Sequence, residues 1–568
     1  MAAVAAPGRS HMADLAMSGY RAGPAMQRSS AGEIRMPRPI DPTSVAGKEF
    51  PVVEHVPLLV LGAGRAGLAA AVEAARCGLS VVLVDEHPVA SALIGLDVPF
   101  VFGERLDPSV QNKARMTERV VAARAELAEA FEAGVDVRLG VYAWGGFVSG
   151  ETSRTLPRPL LGLADEERSW LVSFDRIIIA SGARDLALAF PGWDRPGVMG
   201  ARGADAAVRL YQAFAGRRIA ILGAGTLGVD VARSALRAGI EVVCVIDVAA
   251  RSATETVFLS TQGIPMHTAY AVSETLGAAE VEGIRIAPLG NPNASFDIAC
   301  DTVVCAVDLV PNVEMFDLFG CTIAWRAELG GFVPLIDADG RTSVQSIYAA
   351  GDCAGVDDSA IIDSGLAAAA GRRAARAAAR DSGIEVNALQ SSPIVGSSVD
   401  RDAMRRHWLA SHVDATCADL MICRCEEVGL RDLLGVRPPR YVSYDPKRFA
   451  TRSLHTLAAE GPINQDQIKR LTRAGMGACQ GRRCREQVQL LLAMQGNQPT
   501  SSIALPSYRA PLRPLPLGVL SAHDETKEMR DNWVVWFGIP GQWLPQWEPV
   551  TDRAEALYES RVLRDVET

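Results

Sequence analysis

The chain has 568 residues, which at about 150 residues per domain is a soft prior of three to four domains. Its composition, 48% hydrophobic and 22% charged, is that of an ordinary globular protein and excludes a wholly disordered chain, a collagen-like fibre and a small disulfide scaffold. Acidic residues outnumber basic ones by 66 to 57, for a formal charge of -9, which argues against a protein held to nucleic acid by phosphate neutralisation.

Residues 1–50 are rich in Ala, Gly, Pro, Ser and Arg without periodicity and read as a disordered tail lacking a signal-type segment. No stretch reaches the roughly 18 apolar residues of a membrane helix, so the expectation is a cytoplasmic protein in a reducing compartment, peripheral to a membrane at most through its electron acceptors. Pro57–Val60 predicts a strand running into Gly62, Gly64 and Gly67, then a helix to Arg76 and a strand from Val81 closing on Asp85 and Glu86. One long amphipathic helix is predicted over 109–132, a strand over 136–139, and a buried strand over 176–180 leading into Ser181-Gly182-Ala183. A second strand–turn–helix–strand unit follows, with Gly223, Gly225 and Gly228 in the turn and Asp247 at the end of its second strand. Further strands are predicted at 302–307 and 346–350, the latter ending in Gly351-Asp352, with a helical Ala/Arg segment after it. A Ser/Asn/Pro-rich linker, a cysteine-bearing module and a Pro-rich connector complete the order, and a tail carries Trp533, Trp536, Trp543 and Trp547.

A lone glycine turn says little, but each of these follows a strand, opens a helix and has an acid after the next strand. The first glycine allows the tight turn, the second lets backbone approach a pyrophosphate, and the third permits close helix–strand packing. Free N–H groups at the helix start then face the phosphates. Asp85 and Asp247 are the candidate ribose acceptors, with Glu86 beside the first. Gly182, Gly351 and Asp352 are further candidates, the aspartate for a ribityl hydroxyl. The alternative is a doubly wound domain that keeps the turn without the ligand.

The order GAGRAG (62–67), IIIASGA (177–183), GAGTLG (223–228) and YAAGD (348–352) resembles the two-dinucleotide-domain flavoproteins. That resemblance implies FAD on the first and last motifs, and NAD or another adenine nucleotide on the inserted second unit. One departure is visible: residues 87–96, HPVASALIGL, lack the Gly-Gly pair that the family commonly carries there. The ADP half of the FAD site is therefore better supported than the isoalloxazine half.

Cys423-Arg424-Cys425 and Cys479-Gln-Gly-Arg-Arg-Cys484 offer four thiols in two tight pairs, enough for a [2Fe–2S] cluster with two ligands per iron. Structural zinc is the rival, although a Cys-x-Cys pair fits its usual spacing less well. Cys77, Cys244, Cys300, Cys305 and Cys321 read as small buried hydrophobes; Cys353, after Gly351-Asp352, reads as packing ahead of a cofactor contact, and His87 as a solvated turn residue ahead of polar lining of the cofactor site.

CRCEEV (423–428) and TRAGMGACQGRRC (472–484) resemble the ferredoxin-like module of bacterioferritin-associated ferredoxin type. More closely they resemble its version fused to alpha subunits of multi-subunit amine and opine dehydrogenases. That group takes in the A subunits of octopine and nopaline oxidases, the B subunit of hydrogen cyanide synthase, dye-linked (hydroxy)proline dehydrogenase alpha chains and the related region of heterotetrameric sarcosine oxidase. The stretch between the two cysteine pairs is longer than in that family, which implies an inserted loop over 438–458.

The implied fold is α/β, with two Rossmann-like units plus a small helical [2Fe–2S] module. Residues 51–205 and 316–385 would form a split FAD domain, 206–315 the inserted NAD(P)-type domain, 386–414 a linker, 415–496 the cysteine module, and 497–568 the connector and a partner-binding tail. The implied function is electron transfer in an oxidoreductase acting on CH–NH donors. An FAD-dependent, amino-acid-oxidase-like beta subunit would perform the oxidation. A small third polypeptide and an FMN at the interface between chains are further expected parts. A self-sufficient NAD(P)H-dependent reductase and a nucleotide-binding scaffold are the alternatives.

Overall fold

The computed structural model describes residues 52–90, 105–149, 156, 158–250, 253–390, 394, 396–397, 399–413, 419–439 and 446–521. The N-terminal tail, the four C-terminal tryptophans and most of the departure at 87–96 lie outside the described residues, as does part of the expected loop over 438–458.

The first sheet is built around β1 (Val52–Leu61), whose run of apolar residues is buried on both faces. It pairs in parallel with β2 (Val81–Asp85) and β6 (Ser169–Ile179), and β2 pairs in parallel with β3 (Asp136–Leu139). Continuous apolar strands of this kind belong in sheets covered on both sides. The length of β6 lets it change partners. Its first half carries the antiparallel strands β5 (Leu160–Ala164) and β4 (Tyr142–Phe147), and its second half pairs in parallel with β15 (Ile347–Ala349). Helix α1 (Arg65–Arg76) crosses α5 (Ser364–Asp381) at small residues: a Cβ on Gly371 would lie 1.9 Å from the Ala66 carbonyl oxygen. The alanine-rich composition of both helices suits that close approach.

The second sheet is parallel, in the order β10 (Met266–Thr268), β9 (Glu241–Asp247), β8 (Arg218–Leu222), β14 (Thr302–Cys305), β7 (Val198–Gly200). It therefore recruits a strand at 198–200, ahead of the boundary expected at 206. An antiparallel trio, β11 (Tyr270–Leu276), β12 (Gly283–Pro288) and β13 (Phe296–Ala299), packs beside it.

Two sequence expectations are corrected. The single helix over 109–132 is instead a short turn, α2 (Lys113–Ala123) and α3 (Glu126–Glu132), broken where Arg124 turns its guanidinium towards Asp85, 3.1 Å away. The expected linker over 386–414 contains α6 (Arg401–His412). Its Arg401 and Arg405 are buried against Asp308, the latter at 2.7 Å, so an ordered helix docks where a loose connection was expected. The cysteine module is small and helical, with α7 (Gln465–Thr472) and α8 (Arg485–Gln495) its longer helices.

Candidate functional site

The chain leaves β1 at Gly62 with φ +107°, and a Cβ there would lie 2.4 Å from the Ala180 carbonyl oxygen. A Cβ on Gly67 would lie 1.8 Å from the Gly62 carbonyl oxygen, so α1 begins in contact with the turn itself. Gly64 is different: a Cβ there would meet nothing within 4 Å. It faces open space at the N-terminus of α1, where a phosphate could approach the backbone N–H groups.

That space is a cavity of about 400 Å³ at the carboxyl ends of the strands. It extends from Gly64 and Glu86, past Gly182 and Arg202, to Glu314 and Arg482. Position and lining suit a dinucleotide, since ligands of open α/β sheets sit in this crevice. Gly182 has φ +66° and no atom within 4 Å of a would-be Cβ, leaving its backbone open to a ligand.

The two adjacent acids divide the work. Asp85 is buried; its Oδ2 accepts the Ala63 N–H at 2.5 Å, and its Oδ1 accepts the His87 N–H at 2.9 Å and Arg124 Nη1 at 3.1 Å. Burial works against its ionisation, but Arg124, His87 and the two amides outweigh that and hold the carboxyl below its usual range. Asp85 thus fastens the glycine turn. Glu86 is the more exposed acid of the cavity wall, 2.6 Å from Arg513 of the Pro-rich connector. His87 is not a solvated turn residue. It lines the cavity with Nδ1 2.6 Å from Tyr211 Oη, and that hydroxyl also accepts the Val89 N–H at 3.1 Å. Asp352 is 3.0 Å from Arg202, whose side chain lines the cavity, and follows Gly351 at φ +78°.

The second unit repeats this plan. A Cβ on Gly223 would lie 2.4 Å from the Ala306 oxygen, and one on Gly228 would lie 1.9 Å from the Gly223 oxygen, while Gly225 caps α4 (Thr226–Arg237). Asp247 accepts the Ala224 N–H at 2.8 Å and the Ala249 N–H at 2.9 Å, and its exposure is 0%. The ribose role expected of Asp247 is corrected on that ground: a fully buried carboxylate has no oxygen to offer a ligand, and this one holds its turn as Asp85 does.

All four module cysteines come together. Cys423 ends a short strand, Cys425 lies in the turn after it, Cys479 lies in a turn and Cys484 opens α8. Their Sγ atoms are 3.9 Å apart for Cys423–Cys425 and 3.6 Å for Cys425–Cys479, and Cys484 neighbours Cys423. A disulfide would need about 2.05 Å. Thiolates bound at about 2.3 Å to one tetrahedral metal lie about 3.8 Å apart, and both measured pairs lie near that value. The Gly475 N–H points at Cys423 Sγ from 3.4 Å, and a Cβ on Gly477 would lie 2.4 Å from Cys425 Sγ. Cys423, Cys479 and Cys484 are buried, whereas Cys425 reaches the surface. Four thiols are the donor chemistry of a four-thiolate centre, but as the side chains stand no group of three or more His, Cys, Asp or Glu residues among the described residues is arranged to hold a metal ion. The other six described cysteines are free, and all but Cys77 are buried.

Sequence reasoning missed what joins module to cavity. Arg482, between the third and fourth thiols, lines the cavity. Arg485 reaches Glu314 at 2.5 Å and Glu486 at 2.7 Å, while Arg184 of the cavity wall reaches Glu314 at 3.0 Å and also pairs with Glu486. No local signal announces this cluster, because its members come from three separate parts of the chain.

The sequence pattern of the sarcosine oxidase A3 domain matches residues 447–524. The opine oxidase A subunit of Agrobacterium tumefaciens (strain Ach5) is 27% identical over 499 residues, covering 82% of this chain and 91% of that one. Hydrogen cyanide synthase subunit HcnB of Pseudomonas aeruginosa is 27% identical, covering 75% and 90%. The sarcosine oxidase alpha subunit of Rhizobium meliloti (strain 1021) is 25% identical over 82% of this chain but only 42% of its own length. L-proline dehydrogenase from P. horikoshii shares the fold, with a TM-score of 0.53 at 19% identity, covering 83% of this chain and 81% of that one. Among the described residues no helix is long and apolar enough to cross a membrane. The pattern of one family spans residues 56–383, from the first glycine turn through the second to Gly351-Asp352, and so this chain belongs to the pyridine nucleotide-disulphide oxidoreductases.

Proposed function

We propose that this chain is the FAD- and [2Fe–2S]-bearing electron-transfer subunit of a heteromeric dehydrogenase or oxidase. A partner beta subunit would oxidise the C–N bond of an amino acid, imino acid or opine. Family membership implies FAD, and the relatives named as subunits of opine and sarcosine oxidases support the heteromeric reading. The observation that carries the proposal is the placement of Arg482: one six-residue segment supplies two thiols to the cysteine centre and a side chain to the nucleotide cavity. A structural zinc site has no need of that adjacency, whereas a redox pair does.

Gly62, Gly64, Gly67, Glu86 and Gly182 would hold FAD, with Arg202 and Asp352 beside them, and Cys423, Cys425, Cys479 and Cys484 would hold the cluster. When bound, the flavin supplies two-electron chemistry and the cluster one-electron transfer. The chain's own part is to orient both, to bury three of the four sulfurs, and to place guanidinium groups beside them. Anaerobic mixing tests the reading: flavin absorbance should bleach only when the amine substrate has been added together with the partner protein. Rapid bleaching by NADH alone would overturn it in favour of a self-sufficient reductase, for which the second glycine turn provides the fold.

A further inference from the structure

Arg482 occupies a position that a ligand-bearing turn does not require. It lies three residues after Cys479 and two before Cys484, and it lines the wall of the nucleotide cavity. There it is almost fully enclosed, with 12% of the side chain exposed. Its Nη1 donates to the Leu512 carbonyl oxygen, and its Nε is 4.0 Å from Glu314 Oε1.

Leu512 is itself fixed, since its N–H donates to the Trp144 carbonyl oxygen on β4 at 2.6 Å. The next residue, Arg513, is 2.6 Å from Glu86. Leu512, Arg513 and Arg482 therefore form one continuous stretch of wall, from the acid next to the glycine turn to the turn that carries two thiols.

We propose that Arg482 couples the occupant of the nucleotide cavity to the four-thiol centre, so that filling the cavity changes the reduction equilibrium of the centre. The inference rests on the reading of the two sites as FAD and cluster sites. An anionic nucleotide entering the cavity meets Arg482 and competes with Leu512 and Glu314 for it. Any shift of that guanidinium moves its backbone, which is continuous with Cys479 and Cys484, and alters the field at their sulfurs. The coupling is reciprocal by thermodynamic necessity: reduction of the centre changes nucleotide affinity by the same factor. Arg482 is a positioning residue in this scheme.

The test is an EPR-monitored redox titration of the full chain, reconstituted with iron and sulfide, in FAD-stripped and FAD-reloaded forms. Couplings of this kind are roughly 5- to 150-fold, so a tenfold change in the reduction equilibrium, about 59 mV for one electron, is the expected difference in wild type. In Arg482→Gln the difference should vanish, and in Arg482→Lys, which keeps the charge but not the fork, part of it should return. Equal midpoints in both wild-type forms would overturn the inference, as would a wild-type difference that persists undiminished in Arg482→Gln. Absence of FAD uptake or of any cluster signal in wild type overturns the underlying reading as well, and is distinguished because it is seen before any variant is made. Should Arg482→Gln not fold, the same midpoint difference is compared between wild type and Arg482→Lys, and a difference in Arg482→Lys as large as that of wild type overturns the proposal.

Discussion

Arg485, the residue after the fourth module cysteine, donates from Nη2 to Glu314 Oε1 across 2.5 Å. The two are 171 positions apart in the chain, and both side chains are buried. The Tyr508 ring lies 4.7 Å from the same guanidinium. One ion pair therefore fastens the cysteine module and the Pro-rich connector to the wall of the nucleotide cavity. Burial would neutralise Glu314, but Arg485, Arg184 and Arg482 together outweigh that and hold its carboxyl well below the usual range.

Removing one member of a buried ionic cluster leaves uncompensated charge, at a cost of about 3 to 5 kcal/mol. Glu314→Gln should therefore destabilise the chain by that order, read as a lower urea midpoint. The carboxyl is depressed in the folded state, so its contribution is full above its ordinary value of 4.5 and is lost as pH falls below it. The acid limb of the stability profile should accordingly be shallower in Glu314→Gln. Two superimposable limbs would show that Glu314 is not its source.

At the first glycine turn, folding and binding can be separated. Gly67→Ala places a methyl 1.8 Å from the Gly62 oxygen and should damage the fold, whereas a Cβ at Gly64 meets no protein atom within 4 Å. Gly64→Val should keep the wild-type unfolding midpoint and lose the nucleotide, because its side chain fills the pyrophosphate cradle. The nucleotide released on denaturation measures this. Full FAD occupancy in Gly64→Val would remove the site from the cavity.

Those glycine turns could be read from sequence because their requirement is local: a positive φ at Gly62 and no room at Gly67, repeated at Gly223 and Gly228. The four cysteines were equally readable, their pairs being set by one short turn each. Neighbouring Asp85 and Glu86 were not separable, because only the fold shows that one carboxylate is taken up by Ala63 and His87 while the other faces the cavity. Asp247 misled for the same reason. The Glu314–Arg485 pair and the Arg401–Asp308 pair had no signal at all, since charged residues read as surface until a distant partner is known.

For the cysteine centre, Cys479→Ser should abolish the visible absorption and the paramagnetic signal of the reduced, iron-reconstituted protein. Cys305→Ser, at a buried cysteine in β14 of the second sheet, should leave both signals in place. Zinc in place of iron after anaerobic purification, with no signal in wild type, would refute the iron–sulfur assignment.

His412 predicts a second pH effect, of opposite chemistry. Its Nε2 accepts the Val272 N–H at 3.0 Å, which leaves Nδ1 protonated and donating to the Trp408 carbonyl at 2.7 Å. The ring stacks on Trp408 of the same helix, 5.3 Å between centroids and 7° from parallel, while the Val272 bond ties α6 to β11. Burial pushes the imidazole down to about 4 from 6.5, outweighing the Trp408 carbonyl that favours the charged ring. Between those values the unfolded chain binds a proton that the folded chain refuses. Stability is therefore full above pH 6.5 and falls as the pH drops towards 4, by on the order of 3 kcal/mol in total. His412→Leu should lower stability at neutral pH by breaking the two hydrogen bonds, yet flatten the profile between pH 7 and 5, above the range where Glu314 acts. Urea midpoints across that interval decide it: an equally steep decline in His412→Leu would assign the proton uptake to another group.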